Sequence, residues 1–215
     1  MSGRAILCFG DSNTHGTLAV EGPGRLKRLP RDNRWPGIMA AELGAGFHVI
    51  EEGHPGRTTV HPDPVSGIHK NGLASFPAIL ETHRPLAAVV IMLGTNDLKA
   101  MFGVGPSDIA RSVERLVHVA RSFDGAAETG VPDITLVAPV PILEAGWLAE
   151  MFAGGAEKSR RLAPALAEAA ARLGTGFVDA GTLAQVDPTD GIHLTADAHI
   201  AIGRAVAEAV RARLG

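Results

Sequence analysis

The chain is poor in cysteine, aromatic residues and long apolar runs. It has one cysteine, no tyrosine and only 4% aromatic residues among 215. A lone Cys8 cannot close an intrachain disulfide, so a disulfide scaffold is excluded and a reducing compartment fits. No segment approaches the roughly 20 apolar residues that a membrane span needs. The N-terminal apolar run, Ala5 to Phe9, meets polar residues at once; a secretory signal would need about 7–15 apolar residues. Neither sign of charge dominates. Twenty basic residues face 23 acidic ones, for a net charge of −3, with no Lys/Arg tract. Nothing there would recruit nucleic acid or an anionic membrane. The expectation is a cytoplasmic protein whose partner is a small molecule.

What is present is an alternation of short apolar runs and longer helical patterns. The runs are Ala5–Phe9, Phe47–Ile50, Ala87–Leu93, Ile134–Ala138 and Gly176–Asp179. Most are continuously apolar, as parallel strands covered on both faces are. Between them, helical periodicity covers Trp35–Leu43, Leu73–His83, Pro106–Phe123 and Glu157–Leu173, with a last helix capped by Thr195 and running to about Leu214. Pro85 stops the second of these, and Gly174 is the expected C-cap of the fourth. The order predicts a single α/β domain over residues 1–215: a three-layer, flavodoxin-like fold with a five-stranded parallel sheet in the order 2-1-3-4-5. Two loops, about Thr17–Asn33 and Gly53–Asn71, are long and rich in Gly and Pro, as functional loops often are.

In such sheets chemistry sits beyond the carboxyl ends of the strands. Four polar, Gly-bearing turns fall there: Gly10-Asp11-Ser12-Asn13, Gly53-His54-Pro55-Gly56-Arg57, Gly94-Thr95-Asn96-Asp97 and Asp190-Gly191-Ile192-His193. Together they supply the parts for acyl transfer. A serine hydroxyl needs a base before it attacks. His193 suits, since histidine ordinarily titrates near pH 6.5, and Asp190 is placed to orient it. An oxyanion needs fixed donors, and the backbone N–H groups of Ser12 and Gly56 and the amide of Asn96 can provide three. No cofactor is required. The chain lacks a phosphate-binding Gly-x-x-x-x-Gly-Lys-Ser/Thr loop, a Gly-x-Gly-x-x-Gly turn after the first strand and the Gly-x-Ser-x-Gly elbow of α/β-hydrolases.

These four blocks, in this order, resemble those of the SGNH (GDSL-type) hydrolases, whose Ser, Gly, Asn and His would be Ser12, Gly56, Asn96 and His193. The stretches Ile6–Ser12, Glu51–Gly53 with Gly56–Thr59, and Ile91–Asp97 with Lys99 are similar to the bacterial arylesterase/acyltransferase branch. That resemblance implies hydrolysis of short-chain or aryl esters, with acyl transfer to alcohols or carbohydrate deacetylation as variants, and a homo-oligomer from dimer to octamer. Asn13 and His15 stand where relatives carry apolar residues or Trp, which implies a more polar rim to the substrate site.

The remaining residues carry weaker signals. Asp11 and Asp97 are expected to brace the loops. Arg57 and Lys99 line the pocket, pair with Asp97 or Asp11, or have a solvated or structural role. Ile142, Trp147, Met151 and Phe152 form a pocket wall, an oligomer contact or plain core, and Ile192, between the two triad members, borders the acyl site. His54, His61, Asp63 and His69 share a loop, but their spacing fits no common zinc pattern, so no metal site is expected. Trp35 and Met39 read as core, and so does Cys8.

Overall fold

The computed structural model describes residues 3–24, 27–122 and 130–215. Five strands, β1 (Arg4–Gly10), β2 (Phe47–Gly53), β3 (Ala88–Met92), β4 (Asp133–Ala138) and β5 (Gly176–Asp179), form one parallel sheet in the order β2-β1-β3-β4-β5. The expected topology is the observed one. Side chains alternate across the sheet because strand residues point to opposite faces in turn. On one face Leu7, Phe9, Val89, Ile91 and Leu136 pack beneath α3 (Gly72–His83), α4 (Pro106–Ser122) and α6 (Leu162–Leu173). On the other, Ile6, Cys8, Val90, Met92 and Val178 meet α2 (Trp35–Leu43) and α7 (Ala196–Leu214). Both faces are covered, which is why the strands read as unbroken apolar runs.

The helices depart from expectation in two places. A four-residue helix, α1 (Ser12–His15), follows β1 directly. The single helix expected over Glu157–Leu173 is two, α5 (Gly155–Arg160) and α6, broken at Arg161. Pro164 explains the break: it has no N–H to donate back to Arg160, so the chain restarts and places the proline in a first turn, where none is needed. The end of the third expected helix, Phe123, lies outside the described residues. Trp35, Met39 and Cys8 are fully buried, as expected of core. Among the described residues, no helix is long and apolar enough to cross a membrane.

Candidate active site

The sheet delivers four loops to one rim. Past β1, Asp11 caps α1 by accepting the Asn13 N–H at 2.9 Å. Ser12 is then the first residue of a helix, where a backbone N–H has no acceptor within the helix. Past β2, the Arg57 N–H bonds the His54 carbonyl at 3.0 Å and throws Gly56 into the left-handed region, φ 79°. A side chain would strain that turn. Past β3, the Asn96 amide donates to the Arg57 carbonyl at 3.1 Å and more distantly to Asp11 Oδ2 at 3.4 Å. Asp97 next to it takes the Thr59 N–H on both carboxylate oxygens, at 3.1 and 3.0 Å, and the Thr59 hydroxyl at 2.5 Å. The loops after β1, β2 and β3 are thereby tied to one another.

The fourth loop is a turn closed by a bridge between Val186 and Leu194. Asp190 is fully buried in it. Its Oδ1 accepts the N–H groups of Ile192 and His193, each at 3.0 Å, and its Oδ2 lies 2.7 Å from His193 Nδ1. Burial opposes ionisation of Asp190, but the bonds from the His193 ring and backbone prevail and hold its pKa below the ordinary carboxylate value. An ionised carboxylate only accepts, so Nδ1 carries the proton and Nε2 of the neutral ring is the free base. No hydrogen bond joins Ser12 Oγ to His193 in the ligand-free arrangement. Both border the same cavity of about 320 Å³, with Gly56 and Asn96.

Not all the residues expected at this cavity reach it. Lys99, Phe152 and Ile192 line it, as do Trp147 and Met151. Asn13 and His15 do not. Asn13 spends its amide on the Ile192 carbonyl (3.1 Å) and the Leu194 N–H (3.2 Å), pinning the nucleophile turn to the base's loop. His15 turns to the Thr17 hydroxyl at 2.9 Å. Burial, with Arg28 and Arg34 nearby, depresses its pKa to about 4, so it stays neutral. The more polar rim expected from these two residues is therefore not built from them. Ile142 is core, its N–H taken by Ser159 Oγ at 3.1 Å. Lys99 pairs with Asp63 at 2.8 Å rather than with Asp97 or Asp11. Arg57 pairs with neither aspartate. It donates to the carbonyls of Gly10 (2.9 Å) and Glu52 and stacks its guanidinium 4.2 Å from the Phe9 ring centroid, as a brace under the turn.

The cavity also takes residues the sequence did not single out: Thr17, Pro55, Ser66, Lys70 and Leu148. Three of them come from the long loop after β2, whose composition marked it but whose spacing does not tell which side chains turn inward. Among the described residues no group of three His, Cys, Asp or Glu side chains is arranged for a metal ion. Asp63 is committed to Lys99, and His54 to Lys70. Beneath the site, burial pushes the Asp11 carboxyl up to about 6, against the Asn13 N–H and nearby His193, which favour its ionised form.

The GDSL-like lipase/acylhydrolase family model matches residues 8–201. An aryl esterase of M. smegmatis superposes with a TM-score of 0.92 at 40% identity, over 97% of this chain and 99% of its own. A carbohydrate acetylesterase from Sinorhizobium meliloti gives 0.93 at 40% identity, over 98% and 99%. A putative arylesterase from Agrobacterium tumefaciens gives 0.87 at 39% identity, over 97% and 99%. A search of curated protein sequences returns no match.

Proposed function

The chain belongs to the GDSL-like lipase/acylhydrolase family and is a carboxylic ester hydrolase, and from that premise we propose that it cleaves short-chain acyl or aryl esters through an acyl-enzyme on Ser12. The observation that carries this reading is the 2.7 Å contact of Asp190 with His193 Nδ1, at a cavity shared with Ser12, Gly56 and Asn96. Ser12 Oγ attacks the ester carbonyl while His193 Nε2 takes its proton. The backbone N–H groups of Ser12 and Gly56 and the Asn96 amide receive the oxyanion. The imidazolium, steadied by ionised Asp190, returns the proton to the departing alkoxide. Water then repeats the sequence on the acyl-serine, which frees the carboxylic acid and restores Ser12. An alcohol in place of water would give acyl transfer instead.

Carbohydrate deacetylation is the second reading. It uses the same residues, and the hydroxyls of Thr17 and Ser66 with the two lysines of the cavity wall favour it. We further propose, from the family resemblance, a homo-oligomer, dimer to octamer, and, from the sequence, a cytoplasmic protein. Trp147 and Met151, 40% and 45% exposed beside the cavity mouth, are apolar surface that such contacts would use, and light scattering measures the mass.

The decisive test compares wild type with Ser12→Ala on p-nitrophenyl acetate, alongside intact mass after a phosphonate probe. Turnover and a single adduct in wild type, both lost in the variant, are expected. A folded wild type that neither turns over nor reacts would make the protein a ligand-binding module instead.

A further inference from the structure

An ester is neutral at its reacting bond, yet the cavity beside Ser12 is walled by two lysines, Lys70 and Lys99. An ammonium taken from water is costly unless an anion or several acceptors replace the water. For Lys99 the replacement is complete: its Nζ lies 2.8 Å from Asp63 Oδ2. Asp63 is fixed in turn by the N–H groups of Val65 (2.9 Å) and Ser66 (2.7 Å) on its other oxygen. Burial of Asp63 is more than offset by Lys99 and these N–H groups, and its pKa falls to about 2. Lys99 and Asp63 cancel.

Lys70, only half-buried, has no such partner. Its Nζ donates to the Pro55 carbonyl at 2.8 Å and stands 3.2 Å from His54 Nε2. An ammonium only donates, so that nitrogen of His54 accepts and the ring is neutral. Burial and the neighbouring Lys70 depress the His54 pKa to about 4, consistent with this. Neither contact brings negative charge, and no carboxylate lies within salt-bridge distance of Lys70 among the described residues. Burial and repulsion by Lys99 lower the Lys70 pKa, with Asp63 opposing, as expected for a cation short of counter-charge. The other charges nearby are committed: Arg57 beneath the turn, Asp190 to His193. Lys70 also stands at the reacting end of the cavity. A Cβ placed on Gly56 would be 3.7 Å from its Nζ.

Resting on the esterase reading, we infer that Lys70 is a specificity-determining residue and that the preferred substrates are esters bearing a negatively charged substituent, such as a carboxylate. The third ammonium proton, unused by Pro55 and His54, is the donor that would meet it. Charge-assisted contacts of this kind are stronger than neutral ones.

The test uses two matched pairs: 4-acetoxybenzoate against its methyl ester, with the charge in the leaving half, and mono-4-nitrophenyl succinate against its methyl ester, with the charge in the acyl half. Each kcat/KM is normalised to the ester's hydroxide-catalysed rate. In wild type at low ionic strength, the charged member of one pair should be preferred by about fivefold, and the favoured pair locates the anion. The preference should shrink with salt, vanish in Lys70→Met and return in part in Lys70→Arg. A wild-type preference for the neutral member of both pairs, or an unchanged preference in folded Lys70→Met, would overturn the inference. If Lys70→Met does not fold, the wild-type ratios and their salt dependence decide. Turnover of neutral esters without a charge preference sinks only the role of Lys70. Loss of all turnover and of Ser12 labelling sinks the esterase reading itself.

Discussion

In the proposed mechanism Asn96 must be ready for a charge that does not yet exist. Its amide is aimed by the Arg57 carbonyl at 3.1 Å, while its contact with Asp11 at 3.4 Å is long and so the weaker of the two. The second amide proton can therefore turn to an oxyanion at little cost while the first keeps the group in place. A donor that acts mainly in the transition state should appear in kcat rather than KM. Asn96→Ala is expected to lower kcat by roughly 10²- to 10³-fold with KM little changed. Steady-state kinetics on p-nitrophenyl acetate checks this, and a raised KM with intact kcat would contradict it. At this scale the sequence was most readable where a residue's role is dictated by its place on a strand end. Ser12, Gly56 and Asn96 follow the ends of β1, β2 and β3 within a few residues, whereas Asp190 and His193 stand well beyond β5, in the turn that leads into α7. It was least readable where the role depends on which way a loop side chain turns. Asn13 looked like part of the rim and is instead a stitch between two loops. Lys70, inside the long loop after β2, gave no sign of facing the cavity.

The elements were legible in proportion to how much of their surface is buried. β1 and β3 are covered on both faces, and their apolar runs gave type and position together. The break between α5 and α6 was missed because the apolar period continues across it while one proline moves the boundary. The packing of α7 on α2 was invisible in the same way, since it depends on an absent side chain. At Gly203 a Cβ would meet Ile38 Cβ at 2.6 Å and the Trp35 carbonyl oxygen at 2.7 Å. Both are stiff, one β-branched and one backbone. Gly203→Ala gains about 1 kcal/mol in helix propensity, but overpacking at a rigid contact costs typically 1–3 kcal/mol. The clash should win, with a net loss of up to about 2 kcal/mol and a lower Tm. Thermal denaturation decides the sign, and a rise in Tm would mean that the two helices separate freely.

The same interface holds a group through which the whole molecule can respond to acid. His199 of α7 is fully buried, and its Nδ1 accepts the Trp35 N–H at 3.1 Å, so the ring is neutral. Burial, with help from Arg34, lowers its pKa from 6.5 to about 4. Between those values the unfolded chain takes up a proton that the folded one refuses. The stabilisation is thus complete above pH 6.5 and lost progressively as pH falls towards 4. His15 and His54, also held to about 4, act in the same direction. Asp11 acts in the opposite one: its pKa, raised by burial to about 6, makes the folded state the better proton acceptor on acidification. Burial raises the Asp97 carboxyl as well, so three histidines stand against two carboxylates, and the share of His199 is the one that a substitution isolates. For His199 alone, 1.36 kcal/mol per pKa unit puts the loss at about 3 kcal/mol. His199→Asn separates the charge from the hydrogen bond, because the Asn Oδ1 can take the place of Nδ1 as acceptor for Trp35. Urea denaturation of both proteins at pH 7 and pH 4 should show the variant gaining on wild type by about that amount as pH falls. Parallel curves would mean that the interface opens to admit the proton, and that the burial of His199 does not set the acid limit of the fold.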